Sequence, residues 1–214
     1  MPSQLTDTIM RRLPIYYRHL CEMESEGVTQ ISSKELGDRL NQTPSQIRQD
    51  FNCFGGFGRQ GYGYKVSELK DRIGALLGLH REHHMIVLGA GSIGRAITCY
   101  PAFTSNAFHV LGLFDIDQQK IGKKVNGLPV HSMEDLPGFL DENPVEIAVL
   151  AVPREAAQQC ADLLVEKGVR AFWNFAPVDL RVDPQQCTVV DVHLSDSLQL
   201  LSCKMEIDRL SEAL

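Results

Sequence analysis

Three glycines after an apolar stretch have the spacing of a dinucleotide-binding loop. Residues 86–88 are Ile-Val-Leu, and they lead into Gly89, Ala90, Gly91, Ser92, Ile93 and Gly94, directly before a helix-compatible run. In such a loop the first glycine allows a tight turn and the second lets a pyrophosphate approach the backbone. The third lets the helix pack on the strand. The spacing therefore predicts a nucleotide site at residues 89–94.

An acidic residue follows at the distance that this motif requires. Asp115 ends the apolar run 108–114, 21 residues after Gly94. A carboxylate at that position can accept hydrogen bonds from an adenosine ribose and would repel a 2′-phosphate, which favours NAD(H) over NADP(H). Nearby Lys120, Lys123 and Lys124 weaken that preference. The alternative is a glycine turn in an α/β domain without a ligand, with Asp115 as a solvated turn residue.

The rest of this region alternates between strand and helix patterns. Residues 145–152 are almost continuously apolar, residues 154–167 suit a helix that Gly168 ends, and residues 169–174 suit another strand. This alternation predicts a doubly wound parallel sheet of the Rossmann type. Ligands of such sheets bind outside the carboxyl ends of the strands. We therefore expect five residues near the nicotinamide: Val152, Pro153, Asn174, Ala176 and Pro177. For Asn174 the alternative is a turn residue.

The first eighty residues have the pattern of a helix-turn-helix. Pro14 is expected to open a first helix, Ser32 and Glu35 form a capping box for a second, and Thr43 to Gln46 form a further capping box with Pro44 at the first helical position. Arginine can bind guanine, and glutamine or asparagine can bind adenine. The candidate base-reading residues are Ser45, Gln46, Arg48, Gln49 and Asn52. For Arg48 the alternative is a surface salt bridge with Asp50 or a neighbouring residue.

A glycine-rich segment follows the second of these short helices. Five glycines stand between positions 55 and 63, which suits a β-hairpin that approaches another surface closely. Such a hairpin directly after a recognition helix is the wing of a winged helix. Candidate contacts to phosphate or the minor groove are Arg59, Gln60, Tyr62 and Lys65. The alternative is an ordinary surface hairpin.

Composition narrows the class of protein. The formal net charge of −6 argues against a strongly basic coat for nonspecific nucleic-acid binding. No two of the six cysteines form a C-x-x-C pair, and His83 and His84 are interpreted as a polar linker, so no metal site is predicted. The start lacks a signal-peptide pattern and no apolar run approaches the length of a membrane span. We therefore expect a soluble, cytoplasmic chain without a membrane partner.

The predicted domain organisation has three parts. Residues 1–82 form a winged helix-turn-helix DNA-binding domain, residues 83–194 a Rossmann NAD(H)-binding domain, and residues 195–214 a C-terminal helix. Leucines and other apolar residues of the last helix cover an arc too wide for one buried surface. Such a helix is either wedged between two domains or buried in a partner subunit.

In this order the motifs resemble the Rex family of redox-sensing transcriptional repressors over essentially the whole length. The similar segments are residues 13–18, 32–36, 43–48, the glycine-aromatic wing, 89–94, 114–117 and 174–177. The resemblance implies a homodimer that binds an inverted-repeat, A·T-rich operator through two winged helices. It also implies that NADH releases the DNA, that NAD+ competes for the same site and permits DNA binding, and that the C-terminal helix is exchanged between subunits. One departure is His193, where many members carry an acidic residue.

Two other functions fit parts of the sequence. A NAD-dependent dehydrogenase with a small helical domain would need a general acid or base near the nicotinamide, and no Ser-Tyr-x-x-x-Lys group is present. A winged-helix regulator could instead bind another nucleotide, such as an acyl-CoA. We predict a repressor without enzyme activity and without catalytic residues, with NADH as its effector.

Overall fold

The computed structural model describes residues 6–53, 63–100 and 107–212. These residues fall into two compact units, Met1–Arg81 and Glu82–Leu214.

The first unit contains four helices and one small sheet. Its elements are α1 (Asp7–Ser25), β1 (Gln30–Ile31), α2 (Ser33–Leu40), α3 (Pro44–Asn52), β2 (Tyr64–Lys65) and α4 (Val66–Leu76). Strands β1 and β2 are antiparallel, with Ile31 opposite Tyr64. All four helices contribute to one core, whose largest buried side chains are Tyr16, Leu20, Met23, Leu36, Ile47, Phe51, Leu69 and Ile73. The predicted helix-turn-helix is therefore formed by α2 and α3.

Of the two predicted capping boxes, one is confirmed and one is wrong. The Ser32 hydroxyl accepts a hydrogen bond from the Glu35 amide at 3.1 Å, and the Glu35 carboxylate accepts one from the Ser32 amide at 2.8 Å. At α3 the Thr43 hydroxyl accepts a hydrogen bond from the Gln46 backbone amide at 3.2 Å, but the Gln46 side chain makes no hydrogen bond to the Thr43 backbone amide. Its Nε2 donates to Asp50 at 2.8 Å instead, because a buried carboxylate is the stronger acceptor.

The expectation that Pro14 opens a helix is wrong. Helix α1 begins at Asp7, capped by the side chain of Thr6, and Pro14 lies inside it. Proline lacks the amide hydrogen that would extend the helical bonding through this turn. The turns before it hold because Ile9 and Leu13 are buried. Tertiary packing therefore outweighs the local preference.

The second unit contains a seven-stranded sheet. Its strands are β3 (His83–Leu88), β4 (Phe108–Asp115), β5 (Lys124–Val125), β6 (Leu128–Ser132), β7 (Ile147–Leu150), β8 (Ala171–Asn174) and β9 (Thr188–Asp191). Its helices are α5 (Ser92–Cys99), α6 (Leu136–Glu142, after a 3₁₀ turn at Met133–Asp135), α7 (Arg154–Glu166) and α8 (Leu194–Glu212). The strand order is β5-β6-β4-β3-β7-β8-β9, and every neighbouring pair except β5-β6 is parallel.

Both faces of this sheet are buried. Ile97 of α5 packs in the same cluster as Met85 and Val87, whereas residues of α6 and α7 pack with Ile86 and Leu88, which alternate with them along β3. This arrangement confirms the predicted doubly wound fold. From β3 the chain proceeds outward to β4 and β6 and then returns to β7 on the other side of β3. The order of strands therefore reverses between the carboxyl ends of β3 and β7, where ligands of such sheets bind.

His83 and His84 belong to β3, so their interpretation as a polar linker is wrong. His83 is buried, and its Nδ1 lies 2.9 Å from a carboxylate oxygen of Glu146. That partner is 63 residues away, so no local spacing could have revealed it. Within the part of the chain that the structure describes, no three His, Cys, Asp or Glu residues are grouped so that they could hold a metal ion.

Helix α8 carries apolar side chains that the rest of the described chain does not cover. Leu198, Leu201, Met205, Ile207 and Leu210 are each more than half exposed. No helix among the described residues is both long and apolar enough to cross a membrane.

The glycine loop provides a test of the packing of α5 on β3. A Cβ added at Gly94 would overlap the carbonyl oxygen of Gly89 and approach Val87, whereas one added at Gly91 meets nothing within 4 Å. Gly94→Ser should therefore lower the free energy of unfolding by about 1–3 kcal/mol. The matched variant Gly91→Ser should change it by less than about 0.5 kcal/mol. Urea unfolding of both variants is the measurement, and equal losses would contradict the described packing.

Candidate functional site

The first glycine of the loop lies where β3 and β7 end side by side. Gly89 has a φ of +95°, and a Cβ at this position would overlap the carbonyl oxygen of Ala151. Its amide donates to the carbonyl of Phe114 at 2.7 Å. Glycine is required here both for its backbone conformation and for its close approach to the next strand. The turn is therefore built as the spacing predicts.

Gly91 and Gly94 have the opposite surroundings, as their predicted roles require. Gly94 is enclosed by the Gly89 carbonyl and Val87, so it serves the packing of α5. Gly91 precedes the first residue of α5 and faces open space. Ser92 is exposed and Ile93 is half-buried, whereas Ala90 is buried. The N-terminus of α5 thus has room for an anionic group that could accept hydrogen bonds from its backbone N–H groups.

Asp115 is a buried anchor for this loop. One of its carboxylate oxygens accepts a hydrogen bond from the Ala90 amide at 2.8 Å, and the other accepts one from the Asp117 amide at 2.9 Å. Burial would raise the pKa of Asp115, but these amides and the Lys120 ammonium outweigh it and hold the pKa below its usual range. The carboxylate is therefore ionised and fixes the loop to β4. Its contact with a ribose remains a prediction.

Two neighbours of Asp115 were not singled out as binding residues from the sequence. The Lys120 ammonium lies 3.0 Å from Asp115 and 3.6 Å from Asp117, so two carboxylates share one cation. The cluster keeps a net negative charge, which still opposes a 2′-phosphate. Ile116 is 81% exposed directly after the strand, where an apolar side chain can pack against an adenine ring. An isoleucine next to the acidic residue is the signal that could have identified it.

The residues expected near the nicotinamide lie at the carboxyl end of β8 or follow β7 and β8. β7 pairs with β3, and β8 pairs with β7 with Leu150 opposite Asn174, so the carboxyl end of β7 lies beside the glycine loop and that of β8 lies one strand further away. Val152 is half-buried, and Pro153 and Pro177 are exposed, whereas Ala176 is buried. The structure thus brings these segments to one edge of the sheet. Their contacts with a cofactor remain predictions.

Asn174 holds the loop that follows it. Its Nδ2 donates to the carbonyl of Val178 at 2.8 Å and to the Asp191 carboxylate at 2.7 Å. Its Oδ1 accepts a hydrogen bond from the Ala176 amide at 3.0 Å. Both amide hydrogens are therefore used within the protein. The side chain is fully buried and shapes the site by positioning residues 175–178.

Helix α3 presents a polar surface that suits the predicted base-reading face. Ser45, Arg48, Gln49 and Asn52 are exposed, and Gln46 is half-buried. The Arg48 guanidinium donates to the Ser33 hydroxyl at 3.0 Å. The alternative pairing of Arg48 with Asp50 is wrong, because Asp50 is buried and pairs with Arg12, 38 residues away. This buried pair was missed because its members are so far apart in the sequence.

The predicted wing lies mostly outside the described residues. Arg59, Gln60 and Tyr62 fall in that segment. Lys65 of β2 is exposed, and its ammonium lies 2.7 Å from Glu68. The pairing of β2 with β1 is the described part of the small sheet.

Two family models match separate parts of the chain. The model described as "Putative DNA-binding protein N-terminus" matches residues 5–52, and the one described as "CoA binding domain" matches residues 80–178. The first covers the helix-turn-helix, and the second covers β3 to β8 with the glycine loop.

Proteins of known name resemble the chain over nearly its whole length. A protein of Clostridium botulinum (strain Hall) is 45% identical over 201 residues, which are 94% of this chain and 95% of that protein. A protein of Clostridium perfringens (strain 13) is 46% identical over 193 residues, which are 90% of this chain and 91% of that protein. Both are named "Redox-sensing transcriptional repressor Rex".

Solved structures agree with this similarity. RSP, described as a Rex-family repressor, superposes with a TM-score of 0.91 at 39% identity and covers 99% of both chains. RSP in complex with beta-NAD+ and operator DNA gives a TM-score of 0.90 at 41% identity, covering 99% of this chain and 97% of that one. RSP in complex with beta-NADH gives 0.91 at 39% identity, covering 99% of both chains. The chain therefore belongs to the Rex family of redox-sensing transcriptional repressors.

Proposed function

We propose that this protein is a homodimeric repressor that binds an inverted-repeat, A·T-rich operator through two winged helices and leaves it when NADH binds. The observation that carries the proposal is the superposition, over nearly the whole chain, on RSP bound to NADH and on RSP bound to NAD+ and operator DNA. The open space at Gly91 and the exposed polar side chains of α3 support the proposal, because this function needs one surface for a nucleotide and another for DNA.

Discrimination between NADH and NAD+ must occur at the nicotinamide, because the adenosine halves are identical. The ring is cationic in NAD+ and neutral in NADH, and an apolar surrounding favours the neutral ring since it avoids desolvating a charge. Trp173 and Phe175 make an edge-to-face pair with ring centroids 4.7 Å apart, and Pro177, two residues after Phe175, is exposed. To change operator occupancy from nearly full to nearly empty, NADH must favour the released state by ~5 kcal/mol.

Dimerisation gives helix α8 a role. Its exposed leucines, methionine and isoleucine would be covered by the partner subunit if the helix is exchanged. His193, which stands directly before α8, has its Nε2 3.9 Å from the Asp179 carboxylate, so the residue that departs from the family pattern already has an acidic neighbour. In this proposal the domains are residues 1–82, 83–194 and 195–214.

The same proposal makes the protein a regulator without catalytic residues, acting in the cytoplasm. Its relatives are named repressors, and the polar groups at the nucleotide site hold the protein's own loops. A second candidate keeps the DNA-binding unit but binds a CoA thioester, because residues 80–178 match a CoA-binding model. Both ligands carry a pyrophosphate that the α5 N-terminus can hold, so a binding experiment must separate them.

Fluorescence anisotropy of a labelled A·T-rich inverted-repeat duplex tests this function. At one stated salt concentration the full-length protein should bind the duplex, and NADH should reverse the binding while NAD+ and NADPH do not. Release by acyl-CoA and not by NADH would favour the second candidate. Binding that no nucleotide affects would contradict redox sensing, and no binding at any salt concentration would contradict the proposed operator.

The position of the nucleotide is tested by Gly91→Leu. Because a side chain at Gly91 would fill the open space at the N-terminus of α5, the variant should lose the NADH response and keep operator binding. Gly138→Leu is the matched control, since Gly138 also has nothing within 4 Å and lies in α6. A Gly91→Leu protein that still responds normally to NADH would show that the cofactor binds elsewhere.

The DNA surface is tested by Arg48→Ala. Removal of this exposed guanidinium should weaken operator binding by roughly 1–3 kcal/mol and leave NADH affinity unchanged. Arg39→Ala removes the same charge from α2, where Arg39 pairs with Glu26, and should have a smaller effect. Loss of both operator and NADH binding in Arg48→Ala would indicate misfolding, and equal effects of the two variants would contradict the assigned interface.

A further inference from the structure

Asp50 of α3 is a fully buried carboxylate with four hydrogen-bond donors around it. Arg12 of α1 donates from Nε at 2.6 Å and from Nη2 at 2.7 Å, one bond to each carboxylate oxygen. The Tyr16 hydroxyl donates at 2.6 Å, and Nε2 of Gln46 donates at 2.8 Å. One carboxylate therefore joins two side chains of α1 to a side chain of the predicted base-reading helix.

This carboxylate is held in its charged form. Burial would raise the pKa of Asp50, but the hydrogen bonds from Arg12, Tyr16 and Gln46 outweigh that effect and lower it. An ionised carboxylate only accepts hydrogen bonds. Every group that faces Asp50 must therefore present a donor.

The consequence falls on the amide of Gln46. If this amide turned over, its Oε1 would face the Asp50 carboxylate, and two acceptors would be placed against each other. The bond to Nε2 therefore fixes the orientation of the amide. Within the described part of the chain, the other amide atom, Oε1, accepts no hydrogen bond. It is also not among the buried polar atoms that lack a partner, so it is open to solvent. A solvent-accessible acceptor is thus held in one orientation near the start of α3.

The support beneath this acceptor is rigid. Tyr16 packs edge-to-face on Phe51 with ring centroids 5.3 Å apart, and Phe51 packs edge-to-face on Tyr64 at 5.1 Å. Phe51 follows Asp50 directly on α3, so the same turn of helix is fixed to α1 by charge and to β2 by aromatic packing. A base-reading group on such a support has little orientational freedom to lose on binding.

We propose that Asp50 is a positioning residue for operator recognition: it holds Gln46 so that Oε1 accepts a hydrogen bond from the exocyclic amine of an adenine. In the major groove the N6 amine is the donor that adenine presents, and an A·T-rich operator supplies adenines. This inference rests on the proposed function, since it requires α3 to enter the groove of operator DNA.

A double-mutant cycle between protein and DNA tests the inference. Full-length wild-type protein first selects A·T-rich inverted-repeat duplexes from a randomised pool. Each adenine of a selected half-site is then replaced in turn by purine, which lacks the N6 amine. At one adenine per half-site the replacement should weaken wild-type binding about 5- to 100-fold. The same replacement should cause no further loss in Gln46→Ala, because the bond is already absent.

The difference between these two losses of affinity measures the coupling between Gln46 and the adenine N6 amine. Asp50→Asn should remove this coupling, because the asparagine amide can donate to Gln46 and let the Gln46 amide turn over. Asp38→Asn is the matched control, since Asp38 is an exposed carboxylate of α2 in the same unit, and it should keep the coupling. Circular dichroism and NADH affinity monitor folding. If Asp50→Asn does not fold, hydrogen exchange of the Gln46 side-chain amide in the operator-bound wild type decides. One of its N–H groups should be protected.

Several outcomes would overturn the inference. In the first, purine replacement weakens operator binding by Gln46→Ala as much as by wild type. In the second, Asp50→Asn keeps the coupling between Gln46 and the adenine amine. In the third, both N–H groups of the Gln46 side chain exchange freely in the operator complex. A uniform loss of affinity in Asp50→Asn with unchanged coupling would show that Asp50 only stabilises the domain. If wild-type protein selects no duplex, the proposed function fails and this inference fails with it. If it selects duplexes without any coupling to Gln46, this inference alone fails.

Discussion

The close approach of the Gly89 backbone to the end of β7 is the constraint on which the second unit depends. A side chain at Gly89 would overlap the Ala151 carbonyl, so the chain can turn from β3 into α5 only with glycine at this position. The turn places Gly91 in open space at the start of α5 and puts Gly94 against the turn itself. The open space at the N-terminus of α5 and the packing of α5 are therefore two consequences of one backbone path.

Two buried carboxylates have similar mechanical roles in the two units. Asp115 fixes the glycine loop to β4 through the Ala90 amide, and Asp50 fixes α3 to α1 through Arg12. In both cases burial opposes ionisation, and donated hydrogen bonds reverse that effect, so the pKa of each group is lowered. Removing one partner of a buried charge lowers the free energy of unfolding of the protein much more than removing one partner of a surface pair does. Each carboxylate therefore holds in place a segment that we propose binds a ligand, the glycine loop in one unit and α3 in the other.

The described chain also has an apolar surface that its own residues leave uncovered. The apolar side chains of α8 are more than half exposed, whereas both faces of the sheet in the same unit are covered. A helix with exposed leucines on several sides does not gain stability from a single surface. The exposed apolar side chains of α8 therefore support the proposed dimer, as family membership does.

Local sequence signals were sufficient for much of the fold and for the geometry of the glycine loop. The glycine spacing, the Ser32 capping box, the continuous apolar strands and Asp115 each depend on residues close together in the chain, where backbone geometry dictates which residue types fit. Only the tertiary structure decided the rest. Arg12 pairs with Asp50 across 38 residues, and His83 with Glu146 across 63. The Gln46 side chain donates to the buried Asp50 carboxylate and accepts no hydrogen bond from the Thr43 backbone amide, which a capping box would require. Pro14 lies inside α1 because Ile9 and Leu13 are buried. The pairs Arg12–Asp50 and His83–Glu146 leave no period or spacing in a single sequence, because residues so far apart in the chain meet only once it has folded.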